Sequence, residues 1–468
     1  MRFEMRRYSS LLFIIYYLNL HGQTYRLDDC IRIAIEKSND IQIQRLNIES
    51  ARIQHRQAKN NLLPSLNIGT STNYNIGYSI SPLDYSYIEQ NSLSGSINIS
   101  SQMTLFQGFQ QLRNIQKTEI DYNAGNYQIL ILENSVRIQV INLYLQALME
   151  GEMLSILNRQ YQSNLAILQK KKEAVENGLI AKTAYREQQL QITIDEANRT
   201  RQEFQFANAM NKLKLILQIP IHQPFQIDTH FLNTEVHNDE NYDFIDVKSF
   251  YAMPEVGYER MRLSSMQKQT EIQKSALYPV LTLGYALGSN FINTKKNYGY
   301  QTVKNPIIGY VNDSSRTYVR SLNSQSVAIS ESGVPMFTQI NDNKQHQFQL
   351  NLQWQIFGKG MKRTNIKLAE IAEKQQEYRI KLTEQKIKEN YFQALSNVLM
   401  AYNKSLSNLA ILNAQKERYQ LAKDKFENNL IDYFEYTTYQ SQLSNAELEF
   451  SKSKLEWHFN REILSLYK

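Results

Sequence analysis

Lys59-Asn60-Asn61-Leu62-Leu63-Pro64-Ser65-Leu66-Asn67-Ile68-Gly69 recurs as Lys274-Ser275-Ala276-Leu277-Tyr278-Pro279-Val280-Leu281-Thr282-Leu283-Gly284. The two prolines are 215 residues apart, and five of the eleven paired positions are identical. In each copy a helical pattern gives way at the proline to alternation. A prolyl ring fixes φ and removes a backbone donor, so a helix ends there. After Pro64, Leu66, Ile68, Thr70, Thr72, Tyr74, Ile76 and Tyr78 alternate with Ser65, Asn67, Gly69, Ser71, Asn73, Asn75 and Gly77. After Pro279, Leu281, Leu283, Tyr285 and Leu287 alternate with Thr282, Gly284, Ala286 and Gly288. Period two predicts strands with one apolar and one polar face.

Each strand has a return partner. Ile97, Ile99, Met103 and Leu105 alternate with Ser96, Asn98, Gln102 and Thr104; Phe348, Leu350, Leu352, Trp354 and Ile356 alternate with Gln347, Gln349, Asn351, Gln353 and Gln355. These runs predict β-hairpins over 64–106 and 279–357. Further landmarks pair at an offset of 251: Phe106 with Phe357, and Glu176-Asn177-Gly178-Leu179-Ile180 with Glu427-Asn428-Asn429-Leu430-Ile431. The chain therefore reads as a duplication, with a first repeat over 23–217, a connection over 218–247 and a second repeat over 248–468. The extra residues of the second copy fall in 289–346, where Pro306 and Pro335 and scattered Gly, Asn and Ser predict a long loop.

The polar faces of these strands are Ser, Asn, Gln, Gly and Thr with hardly a formal charge. A strand that lines a water-filled pore through lipid has this pattern, and aromatic residues near its ends suit the membrane interfaces. Tyr74, Tyr78, Phe106, Tyr285, Trp354 and Phe357 are the candidates for that role. A soluble sheet with an aromatic core is the alternative on the strands alone. Four strands cannot close a barrel, and an open sheet in lipid leaves backbone groups unsatisfied. Several chains must then contribute: two would give about eight strands with a filled interior, three about twelve with room for a pore.

Long helices are expected over 109–177, 182–216, 361–428 and 433–467. Leu154, Leu157, Tyr161, Leu165 and Leu168 form one narrow seam, Ile387, Tyr391, Leu395, Val398 and Tyr402 a second, and Tyr436, Tyr439, Leu443, Ala446 and Phe450 a third. Such seams suit coiled-coil packing. Gly178 and Asn429 stand where a left-handed helix stop belongs. At ~1.5 Å per residue the longest helix is about 100 Å, far beyond a bilayer.

The remaining composition narrows the class. Only 16 Gly and 8 Pro occur in 468 residues, which favours long unbroken helices. Arg2, Arg6 and Arg7 precede the apolar run Leu11–Leu18, and this reads as a secretory signal peptide over 1–22. The net charge of +7 is scattered, with no basic stripe, so no nucleic-acid partner is expected. Cys30 is the one cysteine and reads as a small packed hydrophobe. No nucleophile elbow, HExxH or phosphate loop occurs. His222, His230 and His237, near Asp228, Glu235, Asp239 and Glu240, have no ligand spacing and read as a polar loop. Neither an enzyme, a cofactor nor a metal is expected.

Taken together, the sequence resembles the TolC family of outer-membrane efflux proteins. The resemblance rests on the duplicated Leu-x-Pro-x-Leu at Pro64 and Pro279, the strand ends Phe106-Gln107-Gly108 and Phe357-Gly358-Lys359-Gly360, and the Leu-Ile turns at 179–180 and 430–431. Leu27-Asp28-Asp29-Cys30-Ile31 and Leu217-Gln218-Ile219-Pro220 also look like the family. It implies a mostly α protein with a small β part: a homotrimer whose chains give four strands each to a twelve-stranded outer-membrane β-barrel, continuous with an α-helical coiled-coil barrel in the periplasm of a Gram-negative bacterium. It implies a passive duct for drugs or proteins, with outer-membrane lipid around it. Its partners would be a periplasmic adaptor (a membrane fusion protein) and an inner-membrane pump of RND, ABC or MFS type. Carried over residue by residue, Gly178, Leu179, Ile180, Asn429, Leu430 and Ile431 would form adaptor-docking and gate turns, and Glu435 an entrance acid. Where family members with an ionic latch have Arg and Asp, this chain has Ile431 and Ala184. An exported coiled-coil structural or adhesive protein would share the helical seams without needing the polar-faced hairpins.

Overall fold

The computed structural model describes residues 24–80, 87–89, 91–230, 252–294, 296–311, 317–428 and 430–467. The expected signal peptide, Asn429, His237 and its acidic neighbours lie outside the described residues. In chain order the elements are β1 (Thr24–Tyr25), α1 (Leu27–Lys37), α2 (Asn39–Asn60), β2 (Ser65–Asn75), β3 (Tyr78–Ile80), β4 (Tyr87–Glu89), β5 (Ser92–Gln107), α3 (Gln110–Glu176), α4 (Lys182–Ile216) and β6 (Gln226–Ile227). The second half holds α5 (Pro254–Ser275), β7 (Val280–Ile292), β8 (Lys296–Val303), β9 (Ile307–Tyr310), β10 (Tyr318–Arg320), β11 (Gln325–Gly333), α6 (Met336–Asp342), β12 (Gln345–Gln353), α7 (Met361–Glu427) and α8 (Tyr433–Ser465). The long helices stand within two residues of their expected ends. No described helix is long and apolar enough to cross a membrane.

The chain divides into two compact units. One comprises Met1–Ile53, Glu119–Met266 and Ala372–Lys468, and the regular elements among its described residues are helices and the short parallel pair β1–β6. Its first core joins Leu27, Cys30 and Ala34 of α1 to Val140, Ile141 and Tyr144 of α3, Leu213 of α4 and Leu455 and Phe459 of α8. Tyr144 is fully buried, and its hydroxyl donates to the Tyr25 and Asp228 carbonyls at 3.1 and 2.9 Å, stitching α3 to the β1–β6 pair. A second core gathers Ile387, Tyr391, Leu395 and Val398 of α7 around Trp457 of α8 and Val256 of α5. Burying side chains of this size is worth about 1.5–3 kcal/mol each.

The helical pattern before Pro64 is divided into two helices, α1 and α2. Ser38 leaves helical geometry at the end of α1, and its hydroxyl caps α2 by accepting from the Ile41 N–H at 3.4 Å. In the α7 seam, Ile387, Tyr391, Leu395 and Val398 are buried as expected, and Tyr402 packs against them partly buried. In α3 the buried line is Ile156, Asn164 and Ile167, while Leu154, Leu157, Tyr161, Leu165 and Leu168 flank it half-buried. In α8, Tyr436 and Ala446 are buried and Tyr439, Leu443 and Phe450 are half-buried.

Buried polar residues punctuate these seams. Gln188, Asp195 and Gln202 repeat every seven residues along α4, and all three are buried. Asn164 of α3 donates to the Asp195 carboxylate at 2.6 Å, Gln188 donates to the Asn164 carbonyl at 3.2 Å, and Gln202 donates to the Glu150 carboxylate at 2.6 Å. On α7, Gln376 bonds Glu259 of α5. Polar groups at seam positions fix which helical register satisfies them.

The other unit comprises Gln54–Thr118 and Gln267–Ile371. Its centre is a four-stranded antiparallel sheet in the order β2-β5-β7-β12. The stretch 289–346, expected as a loop, is largely structured. β7 continues to Ile292, β8 pairs with β11, β9 pairs with β10, and α6 follows. Short alternating runs such as Ile307-Ile308-Gly309-Tyr310 find partners in a nested ribbon, which long-range pairing hides from a local reading. Gln339 of α6 acts as a surrogate strand partner: it donates to the Ile292 and Val334 carbonyls and accepts from the Ile292 N–H.

Both junctions from sheet to long helix use consecutive left-handed residues at repeat-related positions, Gly108 and Phe109 (φ 58° and 63°) and Lys359 and Gly360 (φ 53° and 78°). A Cβ at Gly108 would lie 2.7 Å from the Ser275 carbonyl oxygen, so this turn requires glycine. Arg113 locks it by donating to the Gly108 carbonyl at 3.0 Å and to the Ser275 hydroxyl at 2.6 Å.

Candidate channel wall and helical tips

The sheet has two chemically distinct faces. In β2, β5, β7 and β12 there is no Asp, Glu, Lys or Arg. Registers place Ile68 opposite Ile99, Ile99 opposite Leu287, Met103 opposite Leu283, Tyr285 opposite Phe348 and Leu283 opposite Leu350, so one face is predominantly apolar, with Ser101, Ser289 and His346 among its few polar members. The other face aligns Asn67 with Ser100, Ser100 with Ala286, Gln102 with Gly284 and Thr282 with Asn351. A bulge between Thr104 and Phe106 lets Phe106 rejoin the apolar face opposite Leu281.

Among the described residues the apolar face is largely uncovered. Ile68 is 72% exposed and Leu350 67%. The outer edges of β2 and β12 pair with no described strand. A strand of eleven residues such as β2, tilted as in barrels, is long enough for a hydrocarbon core of about 30 Å. An uncharged polar face, an uncovered apolar face and two free edges are what one segment of a larger closed barrel requires.

Not all the expected interface aromatics stand at strand ends. Tyr74 and Phe106 do. Tyr285 is in the middle of β7, on the apolar face, with its hydroxyl 3.0 Å from His346 Nδ1. The alternation that identified the strand does not locate its end, and β7 runs seven residues beyond Tyr285. Tyr78 lies outside the four-stranded sheet, in the small β3–β4 ribbon. Trp354 and Phe357 follow β12, because its last residue, Gln353, already pairs with the first residue of β7, Val280. The Trp354 indole N–H donates to the Leu277 carbonyl at 3.0 Å.

The two helical hairpins end in matching turns. Gly178 is left-handed (φ 68°), and the Leu179 N–H reaches back to the Ala174 carbonyl at 2.8 Å. In the second hairpin the Leu430 N–H reaches the Lys425 carbonyl at 2.8 Å. These are the long bonds of a Schellman stop, satisfied by backbone alone. Leu179 and Leu430 are consequently free of structural duty and are 75% and 72% exposed; Ile180 and Ile431 are less so. Asp432 caps α8 by accepting from the Glu435 N–H at 2.7 Å, and Glu435 is exposed on that first turn.

The structure brings the two tips together through a residue that the sequence did not single out. Lys171 of α3 places its ammonium 3.6 Å from the centre of the Tyr433 ring, at the start of α8, and donates to the Ala184 carbonyl of α4 at 3.4 Å. Burial lowers the Lys171 pKa, against an opposing pull from Glu187 and Asp432. Next to it, the Tyr419 and Tyr436 hydroxyls meet at 2.8 Å, joining α7 to α8. Ala184 and Ile431 form no salt bridge, as their side chains dictate; a cation–π contact ties the tips. His222 and His230 are both exposed, and no metal-ligating cluster occurs among the described residues.

With this geometry in hand, the comparisons are direct. The family model described as outer membrane efflux protein matches residues 30–217. No curated protein sequence matches the chain. Among solved structures, CusC, described as undergoing transmembrane channel formation, is similar with a TM-score of 0.73 at 14% identity, covering 95% of this chain and 92% of CusC. The Campylobacter jejuni CmeC outer membrane channel gives 0.70 at 16% identity, with coverage of 94% and 85%. The Vibrio cholerae outer membrane protein VceC gives 0.69 at 11% identity, with 94% of each chain covered. At these identities the likeness establishes the fold, which extends over both repeats. The expected TolC-like fold agrees with these neighbours, and the expected class, an outer-membrane efflux channel, agrees with the family model that matches residues 30–217.

Proposed function

We propose that three copies of this chain form a passive exit duct in the outer membrane, fed by an inner-membrane pump of RND, ABC or MFS type through a periplasmic adaptor. The observation that carries this reading is the sheet: four uncharged strands, lipophilic on one face and hydrophilic on the other, with both edges free. Twelve strands from three copies satisfy those edges and leave an aqueous bore lined by Asn67, Ser100, Gln102, Thr282, Gln349 and Asn351. The two longest helices, α3 and α7, each about 100 Å long, extend the duct into the periplasm. Tyr74, Phe106, Trp354 and Phe357 would anchor the barrel at the two interfaces.

Adaptor docks at Leu179, Ile180, Leu430 and Ile431, and Glu435 sits at the entrance. Docking stabilises a splayed state of the helices, as any ligand shifts the population toward the state it prefers. The test of the duct is direct. Detergent-extracted protein is expected to have the mass of three chains and to conduct ions in a planar bilayer. A monomer, or a filament without conductance, would favour the adhesive coiled coil.

Lys171 sets the resting state. Its contact with Tyr433 is worth about 0.5–2 kcal/mol, so Lys171→Met, which keeps the stem and removes the charge, should raise the open population by roughly twofold to thirtyfold. Single-channel recording would register this as a higher resting open probability. An unchanged value would remove Lys171 from the gate.

A further inference from the structure

The ribbon inserted between β7 and β12 has no role in the duct as proposed. Its stem is β8–β11 and its tip is β9–β10, with Tyr310 directly opposite Tyr318. The tip is a built element. The Ser321 N–H donates to the Pro306 carbonyl at 2.8 Å, the Val311 N–H to the Thr317 carbonyl at 2.9 Å, and the Arg320 guanidinium to the Asn305 carbonyl at 3.4 Å. Yet it shows water an apolar surface: Ile308 is 58% exposed, Tyr310 and Tyr318 63% each, and Leu322 97%. Lys304 and Arg320 flank it, both exposed. Across 296–323 the sequence holds four basic residues, Lys296, Lys304, Arg316 and Arg320, against a single acid, Asp313.

From this combination we infer that the ribbon tip docks onto a phosphate-bearing lipid surface, with its aromatic and aliphatic side chains at the headgroup–acyl boundary and Lys304 and Arg320 against the phosphates. Three features choose this occupant. Tyrosine and basic residues together are the pairing that settles at an anionic membrane interface. The apolar face of the sheet runs to Phe291 on β7, and the ribbon starts at Lys296, so at most about 17 Å of chain separates the two. A second copy of the chain fits poorly, because symmetry would bring Lys304 and Arg320 of each copy toward their own counterparts. The inference rests on the outer-membrane duct reading.

Leu322→Cys, labelled with a polarity-sensitive fluorophore, tests it in full-length protein reconstituted into vesicles. Cys30, the native thiol, is fully buried and its pKa is pushed up to about 12 by burial, so the label reports the ribbon. In phosphatidylcholine vesicles containing phosphatidylglycerol, the label should be blue-shifted and protected from an aqueous quencher. In phosphatidylcholine alone it should be exposed. Lys304→Gln with Arg320→Gln should lower the protected-to-exposed ratio by about tenfold or more, since each basic residue contributes appreciably at an anionic surface, and added salt should do the same. A label equally exposed in both lipids overturns the inference. So does one equally protected in both and in neutral detergent, which would mean cover by another copy. Ion conductance of the same vesicles separates the two readings: conductance with an exposed label defeats the ribbon alone, and absent conductance defeats both.

Discussion

Leu179→Asp combined with Leu430→Asp is expected to abolish export while leaving trimer assembly and intrinsic conductance intact. The two leucines occupy repeat-related turns whose backbone bonds close without them, the Leu179 N–H to Ala174 and the Leu430 N–H to Lys425. Their side chains are therefore not needed for folding, and their high exposure shows that no described residue of this chain covers them. A leucine buried by a partner contributes about 2 kcal/mol. Aspartate forfeits that and adds the cost of desolvating a carboxylate. With two tips per chain in the proposed trimer, the loss would repeat six times around its entrance. Export of a toxic substrate, read as growth in its presence, and crosslinking of adaptor to the tips would measure it. Normal export by the double variant would eliminate tip docking. Loss of export with normal crosslinking would place the leucines in passage and not in docking.

The sequence exposed those features in which each residue reports its own neighbourhood. Alternation gave the four strands and their faces, because side chains in a strand point to opposite sides residue by residue. The duplication at Pro64 and Pro279 gave the architecture, since a repeated pattern constrains both copies at once. What it concealed depends on pairing across long separations. The nested ribbon within 289–346 is built from runs of three to nine residues, none of them decisive alone. Trp354 and Ile356 continue the β12 alternation, and Phe357 follows them, but none has a strand to pair with once Val280 is used. Lys171 is an ordinary lysine on an amphipathic helix until Tyr433 is brought to it from 262 positions away. One concealed feature did leave a trace: Gln188, Asp195 and Gln202 keep a heptad spacing, and polar residues repeating on that period mark a seam that must be satisfied from the partner helix.

The sharpest discrimination lies between neighbouring residues of β12. Leu350→Arg is expected to prevent a stable membrane-inserted trimer, whereas Asn351→Arg should preserve it and shift ion selectivity toward anions. Leu350 sits near the middle of the strand, opposite Leu283, and Asn351 is opposite Thr282, so the two side chains leave the sheet on opposite sides. An arginine facing the bilayer midplane costs about 2–4 kcal/mol. Repeated in three chains this reaches roughly 6–12 kcal/mol, comparable with the total stability of a typical domain. The same arginine one position on faces water, incurs no such cost, and places three positive charges in the bore, where the low-dielectric wall strengthens their field. Seminative electrophoresis of extracted membranes would separate the variants by assembly, and reversal potentials in a salt gradient would read the selectivity. Equal tolerance of both substitutions would mean that neither face meets lipid. Equal damage would mean that the sheet is buried on both sides, and the lipid-facing assignment of Ile68, Leu283 and Phe348 would fall with it.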